Sequence, residues 1–165
     1  MTDQALQHPP RIDPDAEAVL AALDRHGWTV STAESLTGGL LAATLVDVPG
    51  ASASVRGGIV AYATDVKASV LGVDRALLKR AGAVDPDVAA AMARGARRLL
   101  ATDVAIATTG VAGPDPQDDK PVGTLYVAVS TPEREAVRGV VLSGSRAEIR
   151  RESVRVALRV CLSEL

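Results

Sequence analysis

Short apolar runs alternate along this chain with stretches whose apolar residues recur every three or four positions. Ala16, Val19, Leu20 and Leu23 form one such helical stripe. Asp13-Pro14 stands before it as N-cap and first helical residue, and Gly27 closes it. Residues 28–32 (WTVST) read as a strand, and residues 39–46 (GLLAATLV) as a helix stopped by Pro49-Gly50. A second strand is predicted over 58–63, then short helices from Thr64-Asp65 to Leu71 and from Asp74 to Ala81. Asp85-Pro86 repeats the cap-plus-proline start for a helix reaching Leu100. Residues 103–108 (DVAIAT) make a buried-type strand, and 122–130 and 136–142 a strand pair turning around Pro132. Ser145 opens a long final helix. Helix and strand alternate, and the late strand pair is the exception. The pattern predicts an α/β fold: one domain over 13–165, a three-layer α/β/α sandwich with a mixed, mostly parallel sheet. Residues 1–12, polar and proline-rich, are expected to be a disordered tail.

Composition narrows this picture. A chain of 165 residues buries roughly two-thirds of its unfolded surface. With 47% hydrophobic residues but no Phe, one Trp and two Tyr, its core must be aliphatic. The net charge of -2 gives no basic excess for tracking phosphates, and there are no interleaved aromatics for stacking bases, so nucleic acid is not an expected partner. The basic residues, three lysines and fifteen arginines, are read as compositional bias. Cys161, the only cysteine, cannot build a disulfide or a thiolate metal cluster within one chain. It is expected to be a buried, inert thiol. No apolar run reaches membrane-spanning length and the N-terminus does not resemble a signal peptide, so a cytoplasmic protein without membrane contact is expected. Aliphatic helices in a chain this short suggest a homodimer.

The two histidines exclude some chemistry. His8 is in the tail and His26 ends the first helix, which makes a Ser-His-Asp triad or a histidine zinc site improbable. No metal or cofactor is expected. Acid–base work then falls to Lys, Tyr, Glu or Asp. Three clusters remain. The first, AESLTGG from Ala33 to Gly39, joins a strand to a helix, where amides converge on an anion. It lacks both the Walker A ending and the dinucleotide spacing, and Thr37 also suits a plain N-cap. The second is the long Gly/Pro/Asp loop after Thr108, placed where open α/β sheets bind ligands. The third runs from Pro49 to Lys67. Its Gly50-Ala51-Ser52-Ala53-Ser54 nearly matches a nucleophile elbow. Ser52, Tyr62 and Lys67 together could activate a hydroxyl without histidine, provided the lysine is neutral. Three such residues within sixteen positions are a common pattern.

In this order, AESLTGG, VPGASASVRGGIVAYATDVKASVLGV, ATTGVAGPD and KPVGTLYVAV resemble the CinA C-terminal domain family, from about Val30 to Val160. Its stand-alone members of known activity are nicotinamide-nucleotide amidohydrolases. The resemblance implies hydrolysis of the carboxamide of nicotinamide mononucleotide (NMN) to nicotinate mononucleotide and ammonia, in pyridine-nucleotide recycling. It implies Ser52 as nucleophile, with Lys67, helped by Tyr62, accepting its proton. It further implies a substrate cradle of Glu34, Ser35, Thr37, Gly38, Gly39, Thr109, Gly110, Ala112, Gly113 and Arg146. The chain departs from the family pattern at Leu36 (for Cys), Ala51 and Asp85 (each for Ser) and Ser145 (for Asp). Two other readings stay open: a nucleotide-binding module without turnover, and a hydrolase of a different nucleotide-like amide.

Overall fold

The computed structural model describes residues 12–165. The predicted tail lies outside the described residues except for Ile12, which is half-buried against the core. Twelve elements follow in order: α1 (Pro14–His26), β1 (Val30–Glu34), α2 (Leu40–Val46), a 3-10 turn (Ala51–Ala53), β2 (Val55–Val60), α3 (Thr64–Ser69), α4 (Arg75–Ala81), α5 (Pro86–Leu100), β3 (Val104–Gly110), β4 (Thr124–Ser130), β5 (Glu135–Val141) and α6 (Arg146–Glu164). Four cap signals operate as read, whereas Thr64-Asp65 and Thr37 cap nothing: α3 follows Ala63 and α2 follows Gly39, both without a side-chain cap. Asp13, Asp74 and Asp85 each accept an amide of the first turn, and Ser145 with Glu148 forms a full capping box.

The five strands form one sheet in the order β2-β1-β3-β4-β5. β1 is parallel to both neighbours, and β4 is antiparallel to both of its own. Only β4 therefore runs against the rest. Strand alternation sorts side chains by size. Val104 and Ile106 of β3, with Leu125, Val127 and Val129 of β4, face a layer of α1, α2 and α6. Ala105, Ala107 and Ala128 face α5, which answers with Ala89, Met92, Ala93 and Ala96. Small residues on both sides bring α5 close to the sheet. The same economy holds α3: a Cβ on Gly95 of α5 would sit 2.1 Å from the Leu71 carbonyl oxygen, so only glycine admits the segment that follows α3. No helix among the described residues is long and apolar enough to cross a membrane.

β1 and β2 differ most from the sequence reading. β1 starts at Val30 and reaches Glu34, because its ladder with β3 continues through Glu34 and the Ser35 amide adds a bond to the Thr108 carbonyl. Its polar side chains are buried but paired: Ser31 with Thr102, and Thr32 with Glu34. β2 starts at Val55, since Gly57 and Gly58 pair within the ladder to Ser31 and Thr32, and it ends at Val60 before the expected Ala63.

The chain leaves β1 through α2 on one face to reach β2, and returns through α5 on the other face to β3 on the far side of β1. The connections from β1 and into β3 thus diverge. In an open α/β sheet that divergence leaves a crevice at the carboxyl ends of the two strands.

Candidate active site

The crevice is a cavity of about 320 Å³, lined by Ser35 after β1, Thr109 and Gly110 at the end of β3, Lys67 of α3 and Arg146 of α6. Its size is that of a small-molecule site. The loop between β1 and α2 is wound around a buried carboxylate. Glu34 accepts the amides of Gly39 (3.0 Å), Leu41 (3.0 Å) and Ala42 (2.8 Å), along with the Thr32 hydroxyl (3.0 Å). Glu34 therefore caps α2 in place of an N-cap side chain, and the amides at that helix start are occupied. The Gly38 amide closes a turn onto the Ser35 carbonyl. Arg150 of α6 donates to the Leu36 and Thr37 carbonyls at 2.9 and 3.1 Å. This rigid turn holds Ser35 at the cavity wall. The amide of Leu36, the residue after it, has no hydrogen-bond partner among the described residues.

Lys67 is 1% exposed, among the largest fully buried side chains. Its Nζ donates to Ser35 Oγ at 2.9 Å, to the Ala61 carbonyl at 2.8 Å and to the Tyr62 carbonyl at 3.1 Å. Burial pushes the ammonium down from 10.5 to about 8, against an opposing pull from Asp118. Roughly one lysine in ten is then neutral at pH 7, and it is aimed at a serine hydroxyl. At the mouth, Arg146 donates to the Gly113 carbonyl (2.6 Å) and to the Tyr62 phenol (3.1 Å).

A family model of the CinA C-terminal domain matches residues 13–165. The chain belongs to the CinA C-terminal domain family. A CinA-like protein of Frankia casuarinae is 56% identical over 140 residues, which is 85% of this chain and 32% of that protein. A CinA-like protein of Mycolicibacterium paratuberculosis is 47% identical, over 81% of this chain and 32% of its own length. The chain thus spans about a third of the length of the curated relatives it matches. Among solved structures, a competence-damaged protein (CinA) superfamily protein from Escherichia coli superposes with a TM-score of 0.90 at 32% identity, covering 93% of this chain and 90% of that one. A competence/damage inducible protein from Agrobacterium tumefaciens gives 0.88 at 36%, covering 92% and 94%.

Against this CinA fold the expected site divides. Tyr62, Lys67, Ser35, Thr109, Gly110, Ala112, Gly113 and Arg146 come together around one cavity. Ser52 does not join them. It lies on the 3-10 turn before β2, exposed, beside Val46, Pro49 and Arg56, whereas Lys67 follows β2. The six residues of β2 put roughly 20 Å between its ends. The residue opposite Lys67 is Ser35, which corrects the assignment of Ser52. Four members of the expected cradle do not line the cavity. Glu34 is spent on α2, Thr37 is fully buried against the Thr108 hydroxyl at 2.8 Å, the Gly39 amide is held by Glu34, and the Gly38 amide by Ser35. Sequence reasoning missed Leu36, Ala83, Val84, Asp115 and Gln117, which also line the cavity. Asp115 and Gln117 sit in the loop already singled out, only further along it than the stretch chosen.

His26 takes no part: it stacks on Trp28 at 4.3 Å and bonds the Leu165 carbonyl. Cys161 is buried and its thiol pushed up to about 12 by burial, which keeps it protonated and inert.

Proposed function

We propose that this CinA-family chain is a nicotinamide-nucleotide amidohydrolase that converts NMN to nicotinate mononucleotide and ammonia, with Ser35 as nucleophile and Lys67 as base. The observation that carries the reading is the 2.9 Å contact between Lys67 Nζ and Ser35 Oγ inside the crevice. A buried lysine of lowered pKa beside a hydroxyl is the arrangement that activates serine where histidine is absent. Neutral Lys67 takes the Ser35 proton as Oγ attacks the carboxamide carbon. The carbonyl oxygen becomes an oxyanion that the Leu36 amide can receive, a contribution of about 3–4 kcal/mol for one such donor. The intermediate collapses with the C–N bond breaking, and Lys67 returns the proton to the leaving nitrogen, releasing ammonia. A water then attacks the Ser35 ester, giving its proton to Lys67. The C–Oγ bond breaks, Oγ is reprotonated, and the acid leaves as a carboxylate. The substrate carries a cationic pyridinium and an anionic phosphate. Asp115 and Arg146, both lining the cavity, offer the complementary charges.

The test is ammonia release from NMN by the purified protein. Wild type should turn over. Ser35→Ala and Lys67→Ala should each lose about a thousandfold or more in kcat, while Ser52→Ala stays near wild type. Full activity in Ser35→Ala would overturn the dyad, and no release by wild type would overturn the deamidase reading. Calorimetric binding of NMN without turnover would instead favour a nucleotide-binding module. Because activity needs neutral Lys67, kcat/KM should rise with pH and level off above about 8.

A further inference from the structure

The loop that closes the cavity ends in a feature the reaction scheme leaves unused. Gln117 and Lys120 pair with each other, amide to carbonyl in both directions at 3.2 and 2.8 Å. Between them Asp118 and Asp119 both take positive φ, 50° and 57°. This is a two-residue hairpin of the type that demands left-handed backbone at both central positions, usually supplied by Asn or Gly. Two aspartates hold it here at a conformational cost, and such strain persists where surrounding contacts fix it.

The contacts that fix it are specific. Asp118 Oδ2 accepts the amides of Ala83 at 2.7 Å and Val84 at 3.2 Å. Both residues line the cavity beside Lys67, and Thr109 grips the same segment through the Ala83 carbonyl at 2.7 Å. Gly82 makes room: a Cβ there would lie 2.6 Å from the Asp118 carboxyl carbon, and its φ of 78° suits glycine. The other charged groups around Lys67 are committed or solvated. Glu34 caps α2 and Asp85 caps α5. Asp65 on its own helix and Asp115 are exposed, and Arg146 is held at Gly113 and Tyr62. Tyr62 presents its phenol to Arg146. Asp118 is exposed as well, but among the described residues it is the carboxylate that is pinned by two backbone amides and acts on the lysine.

We propose that Asp118 is a positioning residue: from the tip of its hairpin it clamps the Ala83–Val84 wall of the cavity that Lys67 also lines, and holds a fixed negative charge on that side of the site. The inference rests on the reading of Lys67 as the base. The clamp shapes the site, while the charge favours the protonated lysine and restrains the base below pH 8. Removing only the charge should therefore speed the reaction at low pH.

Asp118→Asn is the clean variant, because Asn suits the left-handed turn and keeps an acceptor for the Ala83 amide. In substrate-free protein, the NMR titration of the Lys67 side chain should move to lower pH by about half a unit, the order expected for one partly solvated charge. The acid limb of kcat/KM for ammonia release from NMN should follow, making the variant about threefold faster than wild type at pH 7. Asp118→Ala, which removes clamp and charge together, should show the same lysine shift with KM raised about tenfold. An unmoved Lys67 titration in Asp118→Asn overturns the inference, since a merely structural aspartate leaves it in place. If wild type releases no ammonia while the titration still moves, the deamidase reading fails and the charge coupling stands.

Discussion

At Glu34 a single buried carboxylate accepts three backbone amides and a hydroxyl, and the loop carrying Ser35 is shaped around it. Replacing it with alanine leaves those donors without partners in a site closed to water. Each orphaned group costs about 1–3 kcal/mol, so Glu34→Ala should lose at least about 3 kcal/mol, measured as a drop in the urea midpoint at pH 7. Lys67 carries the opposite sign. Its folded pKa of about 8 lies below the ordinary 10.5. Between those pH values the unfolded chain binds more protons than the folded one, so stability rises with pH across that window. The span amounts to about 3 kcal/mol. Lys67→Met should abolish turnover and erase that rise, which urea melts at pH 7.5 and 10.5 would show. A rise that persists in the variant would place its origin elsewhere. The sequence identified Lys67 as a candidate through its spacing to Ser52 and Tyr62 and through the family resemblance. It could not show which of several serines the lysine meets, since that depends on where each sits along a strand.

Among elements, α3 carries Lys67 yet has only six residues and no side-chain cap. Its position is set by the Lys67 side chain's own hydrogen bonds and by Leu71, just after it, packed on Gly95 of α5, rather than by its own propensity. Gly95→Ala would drive a Cβ against the Leu71 carbonyl at 2.1 Å, and the backbone must yield. A stability loss of about 1–3 kcal/mol is expected, together with lower kcat as Lys67 moves off Ser35. Thermal melts and ammonia release measure the two. At the start of α6, Ser145 and Glu148 cap each other reciprocally, so Ser145→Ala should cost about 1 kcal/mol and loosen Arg146 at the mouth. Across the sheet, Asp103 accepts the Thr29 amide and hydroxyl, and these bonds hold its carboxyl below the usual range. That stability is present above the ordinary carboxylate pKa and is lost as pH falls through the depressed one. Asp103→Asn should flatten the acid side of the stability profile. The helices were legible because proline, aspartate and glycine punctuate them. The ends of β1 and β2 were not, because Ser31, Thr32, Gly57 and Gly58 look like loop residues until the ladder and buried partners accommodate them.

Over the whole molecule, the site draws on residues near 35, 62–67, 83–84, 109–117 and 146, which meet only when all five strands are in order. Arg146 reaches it from α6 across the mouth. Arg146→Ala should raise KM for NMN about tenfold or more, the scale of a lost charged contact, with a melting temperature close to wild type. A stability loss matching the activity loss would count against a binding role. By itself the sequence determined the layered α/β architecture, the aliphatic core and the three clusters that could carry chemistry. Periodicity, caps and composition act locally and survive without knowledge of neighbours. The tertiary structure decided which clusters meet. Ser52 and Lys67 stand at opposite ends of β2, fifteen residues apart in sequence, while Ser35, thirty-two residues from Lys67, lies beside it. A strand carries its two ends apart, and parallel pairing aligns the carboxyl end of one strand with that of its neighbour. Proximity at the active site therefore follows strand direction and order, which sequence separation does not report.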